Sequence, residues 1–322
     1  MHPPAALDAF RNLSARLGQN PLRVQGPGGN TSYKDGEVLW IKASGTELAD
    51  AETSHIFVPV DRFAALAEAR QEAGDGSCKT TVLDPDNPLR PSIETTFHAA
   101  LKWTVVAHTH SIATLVHAIC PEGRVAAEAK LSGLPVAFVP YAKPGLPLTR
   151  EILANASPST QVFVLENHGL IVCGETVEDV DALTEEVEAR LAMSAIATTH
   201  SLPEHAPPPG YVWTPESWIA HKTRACSIAK SGSFYPDHVV FLGPALPATD
   251  HDGERPALLI EGHGTALRDG ATSSQKAMLR CLSDVLSRLP EDWTPESIGP
   301  NAEADLLNWD AEKYRQALAA RS

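Results

Sequence analysis

The N-terminal two hundred residues switch repeatedly between helical and strand-like spacing of apolar side chains. Phe10, Leu13 and Leu17 recur at helical spacing within residues 5–18, whereas apolar and polar positions alternate along residues 37–42 as they do in a strand. The same reading predicts further helices over residues 61–73, 92–102, 112–119 and 176–198, and strands over residues 105–108, 136–139, 162–165 and 170–172. Helices interleaved with strands are typical of an α/β layer fold.

A proline-rich stretch divides the chain. Residues 203–210 include three consecutive prolines, which deny a segment helix and ladder hydrogen bonds, so we expect a linker there. It would separate a domain of residues 1–202 from a smaller α/β extension of residues 211–322. In that extension the pattern predicts helices over residues 215–230 and 272–289 and strands over residues 238–242 and 257–260.

Charge and composition exclude several classes of protein. The 322 residues carry 26 Lys and Arg against 40 Asp and Glu, a formal net charge of −14. Nucleic acids and anionic membranes attract positive charge, so we expect neither as a partner. We find no apolar run long enough to span a bilayer and no secretory leader. The five cysteines lie far apart, which favours a reducing, cytoplasmic location.

The strongest chemical signal is a pair of histidines. His108 and His110 directly follow an apolar strand, and side chains at i and i+2 of a strand point the same way. A third histidine, His168, follows the apolar stretch at residues 162–165. Three imidazoles suit Zn²⁺ with a fourth position left open. Taken alone, such a pair is more often explained as two surface histidines than as metal ligands.

Three other features have both a structural and a chemical interpretation. Glu94 lies where a helix is expected to start, either as an acid that the helix dipole favours or as a carboxylate near the metal. The turns at residues 26–32 and 43–46 are rich in glycine and hydroxyl side chains. Each is either a simple turn or a set of backbone N–H groups that receives an anion.

Taken in order, five short motifs resemble the class II aldolase/adducin family. They are GGNTS at 28–32, KASGT at 42–46, PSIE at 91–94, HTH at 108–110 and ENHGL at 166–170. The resemblance covers roughly residues 5–200. Residues 235–244 also resemble the segment that follows the aldolase part of rhamnose-utilisation bifunctional aldolase/dehydrogenase proteins.

The resemblance implies a three-layer αβα domain around a central, mostly antiparallel sheet. It implies a divalent metal, usually zinc, held by His108, His110, His168 and Glu94, with Glu94 also acting as acid or base. It implies that the substrate's anionic group is bound by Gly29, Asn30, Ser44, Gly45 and Ser92. The family's second serine before the glutamate is Ile93 here, which offers no hydrogen bond to a phosphate, although Lys42 could restore positive charge.

The activity implied is retro-aldol cleavage of a sugar phosphate or related hydroxy-carbonyl compound through a metal-stabilised enediolate. Epimerisation, dehydration and decarboxylation use the same chemistry and stay open. So does a non-catalytic, adducin-like scaffold, although scaffolds of that type lack the metal histidines. The resemblance further implies a homotetramer acting on a small molecule. The family's proton-donating tyrosine is not mapped; the candidates are Tyr141, Tyr211, Tyr235 and Tyr314. His221 and His263 are interpreted as structural.

Overall fold

A seven-stranded sheet forms the centre of the computed structural model, which describes residues 7–198, 201–250 and 253–320. Its strands are β1 Asn30–Asp35, β2 Val38–Lys42, β3 Phe57–Asp61, β4 Val105–Thr109, β5 Val136–Val139, β6 Val162–Leu165 and β7 Gly169–Gly174. They lie in the order β3-β2-β1-β4-β7-β6-β5, and only β5 and β6 pair in parallel. The expected mostly antiparallel sheet is therefore confirmed.

Helices cover both faces of this sheet. They are α1 Leu7–Gln19, α2 Arg62–Ala69, α3 Thr95–Ala100, α4 Ile112–Ala118, α5 Pro121–Lys130, α6 Leu146–Asn155 and α7 Val177–Leu191. Apolar side chains of α1, α4, α5 and α7 share one buried cluster with the sheet, whereas α2, α3 and α6 pack against the opposite face. This is the expected three-layer arrangement.

Strand alternation decides which layer the β4 histidine faces. Val105 and Ala107 belong to the cluster beneath α1 and α7, and Val106 belongs to the cluster beneath α3 and α6. His108 lies two residues after Val106, so its side chain points toward α3. Its ring packs edge-on against Phe97 of α3, with the ring centroids 5.9 Å apart.

The C-terminal extension combines a small sheet with helices. Strands β8 Tyr211–Trp213, β9 Ala257–Ile260 and β10 Gly264–Arg268 pair antiparallel in the order β8-β10-β9. The helices are α8 Trp218–His221, α9 Thr223–Ser231, α10 Pro236–Leu242, α11 Ser273–Arg288, α12 Pro300–Leu307 and α13 Asp310–Ala319. Ile112, Leu115 and Ile119 lie in one buried cluster with the apolar side chains of this extension. We keep the linker at 203–210 as a proposed boundary between two parts that share a core.

One predicted strand is wrong. Residues 238–242 form the end of α10, which Pro236 begins and Gly243 terminates with φ of 90°. Every residue of α10 is buried. A short helix that is apolar all round has the same continuous apolar run as a buried strand, so periodicity does not distinguish the two.

Four predicted helices are shorter than expected or interrupted. The one expected over 61–73 ends at Ala69. The helix expected over 176–198 ends at Leu191, and the one expected over 215–230 is interrupted at Lys222, whose backbone is extended. The helix expected over 92–102 covers only Thr95–Ala100. Glu94 is consequently the residue before the first turn of α3, not part of that turn.

Other sequence expectations agree with the structure. The Asp61 side chain caps α2 by accepting from the amides of Phe63 and Ala64, each at 2.9 Å. None of the five cysteines forms a disulfide. Among the described residues, no helix combines the length and apolar character that crossing a bilayer requires.

The shared core predicts coupled unfolding. Leu115 is fully buried between the two parts, so Leu115→Ala should lower the free energy of unfolding by about 2–5 kcal/mol. Urea denaturation followed by circular dichroism should show one transition, shifted as a whole. Leu153→Ala, at a leucine 41% exposed on α6, is the control and should change stability by less than about 1 kcal/mol. Two separate transitions, with only one shifted, would contradict the coupling.

Candidate metal centre and substrate pocket

Three buried histidines lie close together where the central strand β4 and its neighbour β7 meet the adjoining loops. His108 lies opposite Asn30 of β1 and Ile171 of β7, one residue before the end of β4. His110 is the first residue after that strand. His168 lies in the turn between β6 and β7. The ring centroids are 4.9 Å apart for His108 and His168 and 5.4 Å for His110 and His168. One nitrogen from each ring lies within 4.8 Å of the other two.

The turn that carries His168 has unusual backbone geometry. Asn167 has φ of 51°, a left-handed conformation that asparagine tolerates better than most residues. A Cβ at position 169 would lie 2.4 Å from the Thr109 carbonyl oxygen, so glycine lets β7 approach β4 closely there. Both features belong to the ENHGL motif. They aim the His168 ring at His108 of β4 and at His110, which follows that strand.

Glu94 completes this cluster from the opposite side. Its Oε2 lies 3.5 Å from His108 Nε2, and its Oε1 lies 3.5 Å from His168 Nε2. The carboxylate is only 5% exposed. Glu94 Oε1 and His108 Nε2 are buried and have no hydrogen-bond partner among the described residues. Buried polar atoms are nearly always paired, so a cation coordinated between them would satisfy both.

The protonation of the histidines suits such a cation. His108 Nδ1 lies 3.0 Å from the Leu170 carbonyl oxygen, which can only accept, so Nδ1 carries the proton and Nε2 keeps its lone pair. Burial lowers the pKa of His108 and lowers that of His168 further. Both rings are therefore neutral at physiological pH, as metal coordination requires. The donor set of three imidazoles and a carboxylate fits a divalent ion such as Zn²⁺.

A chain of buried hydrogen bonds holds Glu94. Asn30 Nδ2 donates to Glu94 Oε2 at 2.8 Å, and Asn30 Oδ1 accepts from His98 Nε2. His98 Nδ1 in turn accepts from the Ser32 hydroxyl at 2.7 Å. Burial holds the pKa of His98 well below its usual value, which agrees with this neutral tautomer. His98 is missed by sequence reasoning, although it lies four residues after Glu94 and so on the same helix face.

The structure brings the predicted anion-binding residues together with the metal cluster. Gly29, Asn30, Ser44, Gly45 and Ser92 line one pocket with Glu94, His110 and His168, and His108 lies behind it. Several of their groups have partners already: the Ser44 hydroxyl donates to the Pro91 carbonyl at 3.1 Å, and Ser92 Oγ accepts from the Glu94 amide at 3.2 Å. Their role toward a substrate stays a prediction.

Ile93 and Lys42 also line this pocket. The Lys42 ammonium donates to the Pro27 carbonyl at 2.9 Å, and burial lowers the pKa of Lys42 to about 7. The lysine is thus a buried component of the pocket rather than a solvated strand end. Its charge at neutral pH is only partial, because its pKa is close to the pH.

Sequence reasoning missed two pocket residues from the extension. Asp237 of α10 and Arg315 of α13 line the same cavity. Asp237 Oδ2 lies 3.3 Å from His110 Nδ1, and its Oδ1 lies 2.9 Å from an Arg315 nitrogen. Burial alone would raise the pKa of Asp237, but Arg315 and His110 more than offset it and hold that pKa below its usual range. The resemblance over residues 235–244, which include Asp237, was the one sequence feature that could have drawn attention to it.

The cavity among these residues is small. It measures about 30 Å³, room for about one or two water molecules. A groove of about 340 Å³ adjoins it, shares Ser44, Ile93 and Pro144, and reaches Trp309 and Tyr314 near the start of α13. The groove is the route by which a small molecule would reach the cluster.

The tyrosine candidates separate by position. Tyr314 lines the adjoining groove, where the Arg90 guanidinium lies 3.9 Å from its ring centroid. Tyr141, Tyr211 and Tyr235 line neither the pocket nor the groove. The exposed His221 and His263 are also outside both.

Comparisons with known proteins agree with this arrangement. The family model for the class II aldolase and adducin N-terminal domain matches residues 11–195, more than half of the chain. The N-terminal class II aldolase domain of a conserved Thermoplasma acidophilum protein is 27% identical with a TM-score of 0.51. That match covers 59% of this chain and 94% of that one.

Two curated relatives match over shorter stretches. The uncharacterized oxidoreductase YuxG of Bacillus subtilis is 33% identical over 191 residues, 54% of this chain and 27% of that protein. A 3-oxo-tetronate 4-phosphate decarboxylase of Escherichia coli is 32% identical over 112 residues, 31% of this chain and 52% of that protein. The chain thus spans between a quarter and about half of their lengths. These names do not specify rhamnose utilisation, so that narrower resemblance stays a prediction.

The chain of bonds behind Glu94 predicts a stability effect. Asn30→Ala removes the partner of both Glu94 Oε2 and His98 Nε2, which should cost about 1–3 kcal/mol of unfolding free energy. Urea denaturation in EDTA measures it without any contribution from bound metal. Asn12→Ala, at an exposed asparagine bonded to Glu52, is the matched control. Equal denaturation midpoints for the two variants would contradict the prediction.

Proposed function

Because the chain belongs to the class II aldolase and adducin family, we propose that it is a metal-dependent lyase that cleaves a carbon–carbon bond. The substrate would be a sugar phosphate or a related hydroxy-carbonyl compound. The observation that carries the proposal is the buried cluster of His108, His110, His168 and Glu94, in which unpaired polar atoms face one point. A non-catalytic scaffold has no need of three buried histidines arranged around a buried carboxylate.

His108, His110, His168 and Glu94 would hold a divalent ion, with zinc proposed. When bound, such an ion supplies Lewis-acid polarisation of the substrate's carbonyl and hydroxyl oxygens. Burial lowers the pKa of His108 and of His168, so these two rings stay available as neutral ligands across the physiological range of pH.

Glu94 is the proposed acid or base. Asn30 binds its Oε2 and fixes the plane of the carboxylate, whereas Oε1 has no hydrogen-bond partner among the described residues. Oε1 is therefore the atom that we propose takes a proton from a substrate hydroxyl or returns one to carbon. A carboxylate held by one oxygen and free at the other can transfer a proton without turning.

The anionic end of the substrate would lie toward the turns at Gly29–Asn30 and Ser44–Gly45 and the Ser92 hydroxyl. Lys42, which is partly charged at neutral pH, and Arg315, which is paired with Asp237 and Glu312, line the same pocket. Ile93 supplies no hydrogen bond there, so these cations would take over part of the role of the missing serine. A phosphate or a carboxylate satisfies this chemistry. A cytoplasmic homotetramer remains part of the proposal.

Decarboxylation is the second candidate. It is favoured by the similarity to a protein named 3-oxo-tetronate 4-phosphate decarboxylase. Loss of carbon dioxide and retro-aldol cleavage both leave an electron pair on the carbon next to a carbonyl, so one site could stabilise either. Decarboxylation of 3-oxo-tetronate 4-phosphate leaves dihydroxyacetone phosphate, which is also the product of cleaving a ketose 1-phosphate.

Metal content is the first test of the proposed function. Elemental analysis of protein purified without chelators should find about one divalent ion per chain. His168→Ala should retain less than about a tenth of it. His263→Ala removes an exposed histidine outside the pocket and serves as the control. A wild-type protein that holds no metal, and takes up none on dialysis against zinc, would overturn the proposal.

A further test of the proposed function concerns Glu94. Glu94→Gln keeps the shape and the bond to Asn30 but cannot accept a proton, so kcat should fall about 10²–10⁴-fold with the fold intact. A panel of ketose 1-phosphates and 3-oxo-tetronate 4-phosphate is assayed for dihydroxyacetone phosphate and carbon dioxide. Release of carbon dioxide identifies the decarboxylase, and its absence with triose release identifies the aldolase.

Glu261→Gln is the control for that measurement. Glu261 lies on the surface of the extension, paired with Lys230 at 2.9 Å, so this variant should turn over as the wild type does. Wild-type turnover in Glu94→Gln would rule out a proton-transfer role for Glu94.

A further inference from the structure

Asp237 of the C-terminal extension contacts His110, one of the histidines of the metal cluster. We propose that Asp237 is a positioning residue for His110: it fixes the ring so that Nε2 faces the metal. The proposal rests on the metal centre of the proposed function but not on which reaction that centre performs.

The contact itself is short and shielded from water. Asp237 Oδ2 lies 3.3 Å from His110 Nδ1, and the two side chains are 2% and 7% exposed. A carboxylate accepts and does not donate, so a proton on Nδ1 is favoured and the lone pair is left on Nε2. A carboxylate behind a metal-binding histidine fixes its tautomer and ring orientation and strengthens it as a ligand.

Asp237 is itself held rigidly. Its Oδ1 lies 2.9 Å from the Arg315 guanidinium, and the same guanidinium nitrogen lies 2.8 Å from Glu312 Oε2. All three side chains are buried. A buried carboxylate is costly unless paired, and here Arg315 pairs with Oδ1 while Oδ2 faces His110. Among the described residues, Oδ2 has no hydrogen-bond partner that would compete with the His110 ring it faces.

The glycine at position 28 makes room for this contact. A Cβ there would lie 2.8 Å from Asp237 Oδ2 and 2.8 Å from His110 Nδ1. Gly28 does not have a left-handed backbone, so the turn itself does not require glycine. The requirement is steric: any side chain would push the carboxylate and the imidazole apart. Gly28, the first glycine of the GGNTS motif, is thus required for the contact between Asp237 and His110.

The segment that carries Asp237 is anchored to the metal loop. Asn167, the residue before His168, donates from Nδ2 to the Phe234 carbonyl at 3.0 Å and to the Glu296 carbonyl at 2.7 Å. Glu303 receives the amide and the hydroxyl of Ser233 at 3.0 and 2.8 Å. Residues 233–237 are therefore placed from two sides, and their position is coupled to that of His168.

The test compares metal binding in two Asp–Arg pairs of the extension. Asp237→Asn and Asp237→Ala are measured against Asp250→Asn, which breaks the pair of Asp250 with Arg268, 2.9 Å apart and outside the pocket. Cobalt(II) is the probe: its Kd is determined by chelator competition and its coordination by visible absorption.

We expect Asp237→Asn to weaken cobalt binding about 10–100-fold and to shift the visible absorption bands, with a larger loss in Asp237→Ala. Asp250→Asn should bind as the wild type does. A Kd for Asp237→Asn within twofold of the wild type, with an unchanged spectrum, overturns the proposal.

A second variant separates positioning from charge balance, and serves if Asp237→Asn does not fold. Asp237→Asn combined with Arg315→Met removes both members of the buried pair. Weak cobalt binding in the folded double variant supports the action of Asp237 on His110, whereas wild-type binding overturns it. If the wild type binds cobalt but cleaves no substrate, only the proposed reaction fails. If it binds no metal, the reaction and the inference fail together.

Discussion

The register of β4 between β1 and β7 is the constraint on which the site depends. It sets His108 opposite Asn30 on one side and Ile171 on the other, and it brings the Leu170 carbonyl to His108 Nδ1. A slip of one residue would turn His108 to the opposite face of the sheet. The metal cluster, the tautomer of His108 and the support of Glu94 by Asn30 therefore all follow from one set of backbone hydrogen bonds.

That register also imposes an electrostatic condition. Glu94, three histidines, Asp237 and Arg315 lie in a region with little access to water, and burial disfavours charge on each of them. His108 and His168 meet this condition because burial lowers the pKa of each ring, whereas Asp237 and Arg315 meet it as a pair. Glu94 has no cationic side chain paired with it among the described residues, since its contacts are Asn30 and two imidazoles. A divalent cation bound between these side chains would supply the missing positive charge.

A feature of the site could be predicted from the sequence when residues close together in the chain determine it. His108 and His110 were predictable because strand alternation alone aligns them, and Glu94 was predictable because a family motif carries it. His98 was missed, since its role depends on the register that brings Asn30 to it. Asp237 and Arg315 were missed because tertiary packing, over a long sequence separation, brings them to His110. The wrong strand prediction over 238–242 was a further reason that Asp237 was missed. Asp237 belongs to the first turn of α10, and a predicted strand gave no indication of that helix.

The extension also determines what can reach the cluster. A Cβ on Gly45 would lie 2.3 Å from Leu318 of α13, so the second predicted anion-binding turn lies directly under that helix. The cavity beside it is about 30 Å³ and opens into the groove of about 340 Å³ past Ile93 and Pro144. A substrate of the proposed kind, being larger than this cavity, would lie partly in the groove beside Tyr314 and Arg90. Since α13 forms one wall of the groove and holds Asp237 through Arg315, substrate access and the geometry of the metal cluster depend on the same helix.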